Sequence, residues 1–116
     1  MRGLAVVFLG LALAAPALGA GNPVAGKAVF KSTCGSCHTL KAAGATATVG
    51  PDLDKLKQYA AQANRGPIAA FVKQSIVSPG AYLQPGYQNL MPPTFGTQIP
   101  PAQLDQLVQY LVSNAK

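Results

Sequence analysis

The stretch Cys34-Gly35-Ser36-Cys37-His38 contains both cysteines and the only histidine of the chain. Two thiols separated by two residues and followed at once by an imidazole form the C-x-x-C-H pattern of covalent c-type haem attachment. With this composition, chance placement would produce the pattern roughly once in several thousand chains. Each thiol can add to one vinyl group of the porphyrin, which holds the adjacent imidazole under the iron. The motif therefore predicts one covalent haem c, with thioether bonds to Cys34 and Cys37 and with His38 as an axial ligand of its iron.

Three other roles for the cysteine pair fit the sequence less well. A thioredoxin-like redox pair follows a strand, whereas the residues before Cys34 have a helical pattern. A zinc site needs four ligands, or three and a water molecule, and the sequence offers no second pair of cysteine or histidine residues. A disulfide bond at this spacing would close too short a loop to stabilise the fold much.

The second axial ligand is predicted by elimination. His38 is the only histidine, and Met91 is the only methionine besides Met1. Met91 stands before Pro92 and Pro93, which stiffen an extended loop; the alternative is a methionine that fills a gap in the core. His/Met coordination raises the reduction potential and occupies both axial positions. We therefore expect one-electron transfer and no enzymatic activity.

Residues 1–20 have the pattern of a secretory signal peptide. Arg2 precedes an uninterrupted run of apolar and small residues, and small residues continue to Ala20. The apolar run is shorter than the 18 or more residues that a membrane-spanning helix needs. We expect cleavage after Ala20 or Ala17 and a periplasmic or otherwise exported domain at 21–116. The alternative is a retained membrane anchor.

Length and composition indicate one small folded domain. The chain has 116 residues, of which 49% are hydrophobic and only 10% are charged, which argues against a disordered sequence. The formal net charge of +6 suits nucleic acid, a membrane surface or an acidic protein partner. Export, together with the lack of an arginine and aromatic cluster, argues against nucleic acid.

Hydrophobic periodicity and the placement of proline and glycine predict helices joined by turn-rich loops. The predicted helices are Pro23–Cys34, Asp54–Asn64, Ile68–Val77 and one that opens at Pro101. The last has one apolar face, formed by Leu104, Leu107, Val108 and Leu111. The loops at 42–50 and 79–100 are expected to contact the haem and hold it in place.

With these motifs, the chain resembles a small class I monohaem cytochrome c. Gly50-Pro51-Asp52-Leu53 is similar to the family's Gly-Pro-x-Leu segment. By that resemblance, the Pro51 carbonyl oxygen accepts a hydrogen bond from His38, which fixes the tautomer of the ring and raises its basicity. Leu53 would pack on the haem edge.

The two terminal helices carry a second part of the resemblance. Gly26 and Phe30 match the family's glycine and aromatic pair on the first helix, and Leu107, Tyr110 and Leu111 match the facing surface of the last helix. The resemblance implies an all-α class I cytochrome c fold of about four helices around one haem, with the N- and C-terminal helices crossing. Phe30 and Tyr110 would then meet in a ring contact.

The segment from Lys73 through Tyr87 to Pro92 is similar to the cytochrome c domain fused to subunit II of some haem–copper oxidases. This resemblance implies a monomeric shuttle in a respiratory chain, with a haem–copper oxidase as a candidate electron acceptor. Membrane contact is then expected only through partner complexes. The alternative is a haem subunit that belongs permanently to one periplasmic or membrane oxidoreductase complex.

Basic side chains are expected to steer acidic docking faces of redox partners towards the haem edge. The alternative is that they only keep the chain soluble. They are Lys27, Lys31, Lys41, Lys55, Lys57, Arg65 and Lys73.

The haem should supply a large share of a small core, so we expect the apo chain to fold poorly. The predicted apolar lining of the haem pocket is Leu40, Leu53, Phe71, Ile76, Tyr82, Leu83, Leu90 and Phe95.

Overall fold

Among the described residues, proline begins or directly precedes three of the five α-helices, because its fixed φ suits a first helical turn and its missing N–H costs nothing there. A computed structural model describes Gly3, Gly10 and residues 23–116. Its helices are α1 (Pro23–Thr33), α2 (Leu56–Ala63), α3 (Ile68–Val77), α4 (Phe95–Gln98) and α5 (Pro101–Asn114). The mostly helical architecture confirms the predicted class I cytochrome c fold.

The predicted helix boundaries agree closely with α1, α3 and α5, and α2 starts two residues late. Residues Leu53–Lys55 form a 3₁₀ turn instead of α-helix, and the Asp52 carboxylate caps this turn by accepting a hydrogen bond from the Asp54 amide at 2.9 Å. Helix α4 was not predicted. At four residues it is too short to show a helical period in the sequence.

A small hairpin overlaps the start of the loop predicted at 42–50. Strand β1 (Thr39–Leu40) pairs antiparallel with β2 (Ala45–Thr46), so that Thr39 faces Thr46. A 3₁₀ turn at Lys41–Ala43 joins the strands and ends at Gly44, whose φ of +66° lies in the left-handed region that glycine tolerates. The turn lets the chain reverse immediately after the cysteine motif.

Helices α1 and α5 pack across each other at Gly26, as expected. A Cβ atom at Gly26 would lie 2.5 Å from the Gln106 carbonyl oxygen, so only glycine permits this approach. The rings of Phe30 and Tyr110 lie 6.4 Å apart at an angle of 53°, which confirms the predicted ring contact. Phe30 and Leu107 are completely buried at this crossing.

The predicted signal peptide at 1–20 lies outside the described residues, apart from Gly3 and Gly10, and stays a prediction. Within the part of the chain that the structure describes, no helix has the length and apolar character needed to cross a membrane.

Candidate haem-binding cleft

One large cleft is lined by residues from the cysteine motif, from the Gly50–Leu53 segment and from the loop that contains Met91. Its lining residues surround about 1170 Å³ of space free of protein atoms, a volume that includes the open mouth. All of the site residues predicted from the sequence line it, namely Cys34, Cys37, His38, Pro51, Leu53 and Met91. The fold therefore brings together side chains separated by more than half the length of the domain.

The cysteine motif continues the last turn of α1. The Cys34 amide donates to the Phe30 carbonyl oxygen at 2.7 Å, and the His38 amide donates to the Cys34 carbonyl oxygen at 3.1 Å. This tight winding presents Cys34, Cys37 and His38 to the same cleft.

Both thiols are free, so the pair does not form a disulfide. Cys34 is buried and Cys37 is exposed. Burial raises the pKa of the Cys34 thiol to about 11, and repulsion from Cys37 adds to the effect. A helix precedes the motif, as opposed to the strand of a thioredoxin-like site. Within the described ranges, no three metal-ligating side chains of the His, Cys, Asp or Glu type cluster as a zinc site would require.

The imidazole of His38 is held in one tautomer. Its Nδ1 lies 2.6 Å from the Pro51 carbonyl oxygen, and because a carbonyl oxygen can only accept, Nδ1 carries the hydrogen. Burial lowers the pKa of His38, and the hydrogen bond to Pro51 opposes this shift only in part. The ring is therefore neutral with the lone pair on Nε2, the form that binds a metal ion.

Gly50 is a site residue whose role the sequence interpretation missed. Its amide donates to the Cys37 carbonyl oxygen at 2.7 Å, and a Cβ atom there would lie 2.6 Å from His38 Cε1 and 2.9 Å from both ring nitrogens. Any larger residue would push the imidazole away from Pro51. The available signal was the glycine directly before Pro51, because a residue without a Cβ atom lets the backbone pack close against the His38 ring.

Met91 lies in the long loop between α3 and α4. Its side chain is half-buried, packs against the hydrophobic core and lines the cleft. The loop starts with a 3₁₀ turn at Pro79–Ala81, and the side chain of Asn89 packs next to Gly80 in this turn. A Cβ atom at Gly80 would lie 3.3 Å from Asn89 Nδ2.

Most of the predicted apolar lining is correct, and two residues are wrong. Leu40 and Ile76 do not line the cleft; they belong to the protein core, where they are 0% and 5% exposed. The others line it, namely Leu53, Phe71, Tyr82, Leu83, Leu90 and Phe95. Leu40 and Ile76 are apolar enough for either place, and only the tertiary packing distinguishes the two.

The sequence interpretation also missed part of the lining. Helix α2 contributes Leu56 and Tyr59, and the loops contribute Val49 and Tyr87. Leu56, Tyr59 and Ala60 are buried at i, i+3 and i+4, so the helical stripe on α2 was the available signal.

None of the described residues that line the cleft is charged. Five lysines are exposed and do not line it, namely Lys31, Lys41, Lys55, Lys57 and Lys73. A group bound in the cleft would thus have apolar and neutral polar neighbours.

A comparison with known families agrees with this geometry. The cytochrome c family model matches residues 23–115, and no curated protein matches the chain. Members of that family bind haem c covalently with its iron, generally carry electrons and are typically found outside the cytoplasm. The paired thiols and the neutral imidazole in one apolar cleft fit that group. The chain therefore belongs to the cytochrome c family, whose members carry electrons on a covalently attached haem c.

Proposed function

We propose that this protein is an exported monohaem c-type cytochrome in which His38 and Met91 are the axial ligands of a low-spin iron. The haem, when bound, supplies a couple that gains or loses one electron. The observation that carries the proposal is the hydrogen bond between His38 Nδ1 and the Pro51 carbonyl oxygen, 2.6 Å long, in the cleft that Met91 and both cysteines also line.

The Pro51 carbonyl oxygen would act on the iron through His38. By accepting the Nδ1 hydrogen it directs Nε2 to the metal and makes the ring a stronger donor. Gly50 supports this arrangement because its backbone closes over the imidazole.

Met91 would fill the remaining axial position with a neutral thioether, which favours the ferrous state and raises the reduction potential. The apolar lining, including Leu53 and Phe71, would act in the same direction by excluding water from the iron, since a low-dielectric site disfavours the extra charge of the ferric state. If His38 and Met91 both bind the iron, neither axial position is left for a substrate, and the protein would serve as a carrier.

The partners would be redox proteins with acidic docking faces in a respiratory chain, with a haem–copper oxidase as a candidate acceptor. The formal charge of +6 for the whole chain, or +5 once Arg2 leaves with the signal peptide, supports long-range attraction to such faces. The uncharged lining of the cleft leaves the final contact to apolar and neutral polar groups. We propose that the protein works as a monomer and touches membranes only through these partners.

The alternative is a permanent subunit of one oxidoreductase complex. Val49, Leu83 and Leu90 are exposed apolar side chains that all line the cleft. A contiguous apolar patch larger than a few hundred Å² would favour a permanent subunit, whereas single exposed apolar side chains such as Val24 are common on monomers. Sedimentation of the native protein after gentle extraction separates the two functions, because a shuttle runs at the mass of one chain and a subunit runs with its complex.

The ligand set is tested by two substitutions at one position. Met91→Ala should lower the reduction potential and let carbon monoxide bind the reduced protein, because an axial position opens. Met91→His should also lower the potential but should exclude carbon monoxide, since a nitrogen ligand refills the position. If Met91→Ala leaves both the potential and the carbon monoxide response unchanged, Met91 is not a ligand.

A further inference from the structure

The turn between α2 and α3 contacts the loop that carries Met91. We call residues 62–67 the α2–α3 corner and residues 78–94 the Met91 loop. The corner reverses the chain between the two helices, and Asn64 and Gly66 adopt left-handed backbone angles there, with φ of 49° and 90°. Two side chains of the corner contact the Met91 loop.

The first contact is a hydrogen bond between two carboxamides. Gln84 Nε2 donates to Gln62 Oε1 at 3.2 Å. Gln62 lies on the last turn of α2, whereas Gln84 belongs to the Met91 loop and lines the cleft. This bond ties the first half of the loop to the corner.

The second contact is made by Arg65 and an aromatic ring. Arg65 Nε donates to Gln74 Oε1 on α3 at 2.9 Å, which fixes the plane of the guanidinium group. Its central carbon lies 5.9 Å from the centre of the Tyr82 ring, within range of a cation–π interaction. Tyr82 also contacts Phe71, in an edge-to-face arrangement with ring centres 5.8 Å apart. Tyr82 is thus held between Phe71 and Arg65.

Side chains matter here because the backbone of the loop does little to anchor it. Among the described residues, the backbone hydrogen bonds of 82–94 stay within the loop or reach only α4, as in the bonds from Tyr87 to Gln84 and from Leu90 to Gln88. The position of Met91 relative to the cleft therefore depends on packing and on the ties from the corner.

We propose that Gln62 and Arg65 are positioning residues that hold the Met91 loop against the cleft and so strengthen the bond between Met91 and the iron. This inference rests on the proposed ligation by Met91. Neither residue lines the cleft; each acts through its partner on the loop, Gln84 or Tyr82.

The test is competition for the iron by imidazole, followed optically with the intact ferric holoprotein. If the corner holds the loop, Arg65→Ala and Gln62→Ala should each bind imidazole about two- to tenfold more tightly than the wild type, the range expected for an exposed cation–π contact or hydrogen bond. The double variant should bind more tightly than either. Lys57→Ala is the control matched to Arg65→Ala, because Lys57 is an exposed cation on α2 and both substitutions remove one positive charge.

A second control separates positioning from general loss of stability. Val108→Ala removes buried volume from α5, where the side chain is 7% exposed, and should lower the free energy of unfolding without altering imidazole affinity. The proposal is overturned if Arg65→Ala and Gln62→Ala bind imidazole no better than Lys57→Ala, or if Val108→Ala binds it as well as they do. Failure of Met91 ligation itself would look different, since carbon monoxide would then bind the reduced wild type.

Discussion

Nδ1 of His38 lies 2.6 Å from the carbonyl oxygen of Pro51, and the backbone of Gly50 covers the same imidazole. The segment Gly50–Pro51, which follows the β-hairpin, thus orients His38 of the cysteine motif. The hairpin makes this meeting possible, because it returns the chain to the motif, and the Gly50 amide then bonds to the Cys37 carbonyl oxygen at 2.7 Å.

Gly50→Ala should disturb the iron ligand. A Cβ atom would overlap His38 Cε1, so the ring must move and weaken its hydrogen bond to Pro51. We expect a higher reduction potential, measured by redox titration, because an imidazole with a weaker hydrogen bond to Pro51 is a poorer donor and stabilises the ferric iron less. We also expect a loss of about 1–3 kcal/mol in the free energy of unfolding. Gly35→Ala is the control, because a Cβ atom there meets nothing closer than 3.6 Å. Equal behaviour of the two variants would contradict the role of Gly50.

Gly26→Ala should separate stability from redox chemistry. The added methyl group would meet the Gln106 backbone and force α1 and α5 apart, at a cost of about 1–3 kcal/mol in the free energy of unfolding or more. Because the crossing lies away from the cleft lining, the reduction potential of the folded protein should not change. Urea unfolding and redox titration of the same sample check both parts. A shifted potential would mean that the crossing controls the iron site.

Tyr110→Phe should be tolerated and should improve stability at alkaline pH. The Tyr110 hydroxyl is buried and has no hydrogen-bond partner among the described residues, so its removal should leave the free energy of unfolding equal or raise it by up to about 1 kcal/mol.

The pH dependence of this variant follows from the same burial, which raises the pKa of Tyr110 above its ordinary value of 10.0. The neutral phenol is therefore favoured in the folded state. Its contribution to stability is complete below about pH 10 and is lost as the pH rises through the folded pKa. Urea titrations between neutral and alkaline pH should show a smaller loss for Tyr110→Phe than for the wild type. A clear loss of stability at neutral pH would show that the hydroxyl has a partner.

The helices were predictable from the sequence where proline and apolar periodicity mark their start and their buried face. Proline and apolar periodicity located α3 within its observed bounds, and small Gly26 with Phe30 located the helix crossing. The position of Leu40 was not predictable, because an apolar residue next to the motif can face the haem or the core with equal ease. Helix α4 and the hairpin were missed because each is too short to have a period.

The attachment of haem should determine whether the domain folds. The cleft is lined by large apolar side chains such as Leu56 and Phe71, which would face water without the group. Replacement of both Cys34 and Cys37 by serine, with haem removed, should reduce the helical circular dichroism and broaden the urea transition. Single Ser36→Ala, within the same motif, should leave the holoprotein folded. An apo chain with a full helical signal and a sharp transition would contradict this expectation.

Ionic strength should reveal how the protein meets its partners. If the positive charge steers acidic docking faces, the second-order rate of electron transfer to such a partner should fall as salt is added, because the Debye length shrinks from about 30 Å at 0.01 M to about 8 Å at 0.15 M. Stopped-flow kinetics over this range measure the effect. A rate that does not depend on salt would favour docking through the uncharged rim of the cleft alone.

The most direct test of the central claim is the optical spectrum of the purified holoprotein, ferric and ferrous, with and without carbon monoxide. Ligation by His38 and Met91 predicts the weak far-red band of a bond between sulfur and ferric iron, and a ferrous spectrum that carbon monoxide does not change. A ferric spectrum without that band, together with carbon monoxide binding to the ferrous protein, would contradict the account and would mean that Met91 leaves an axial position open.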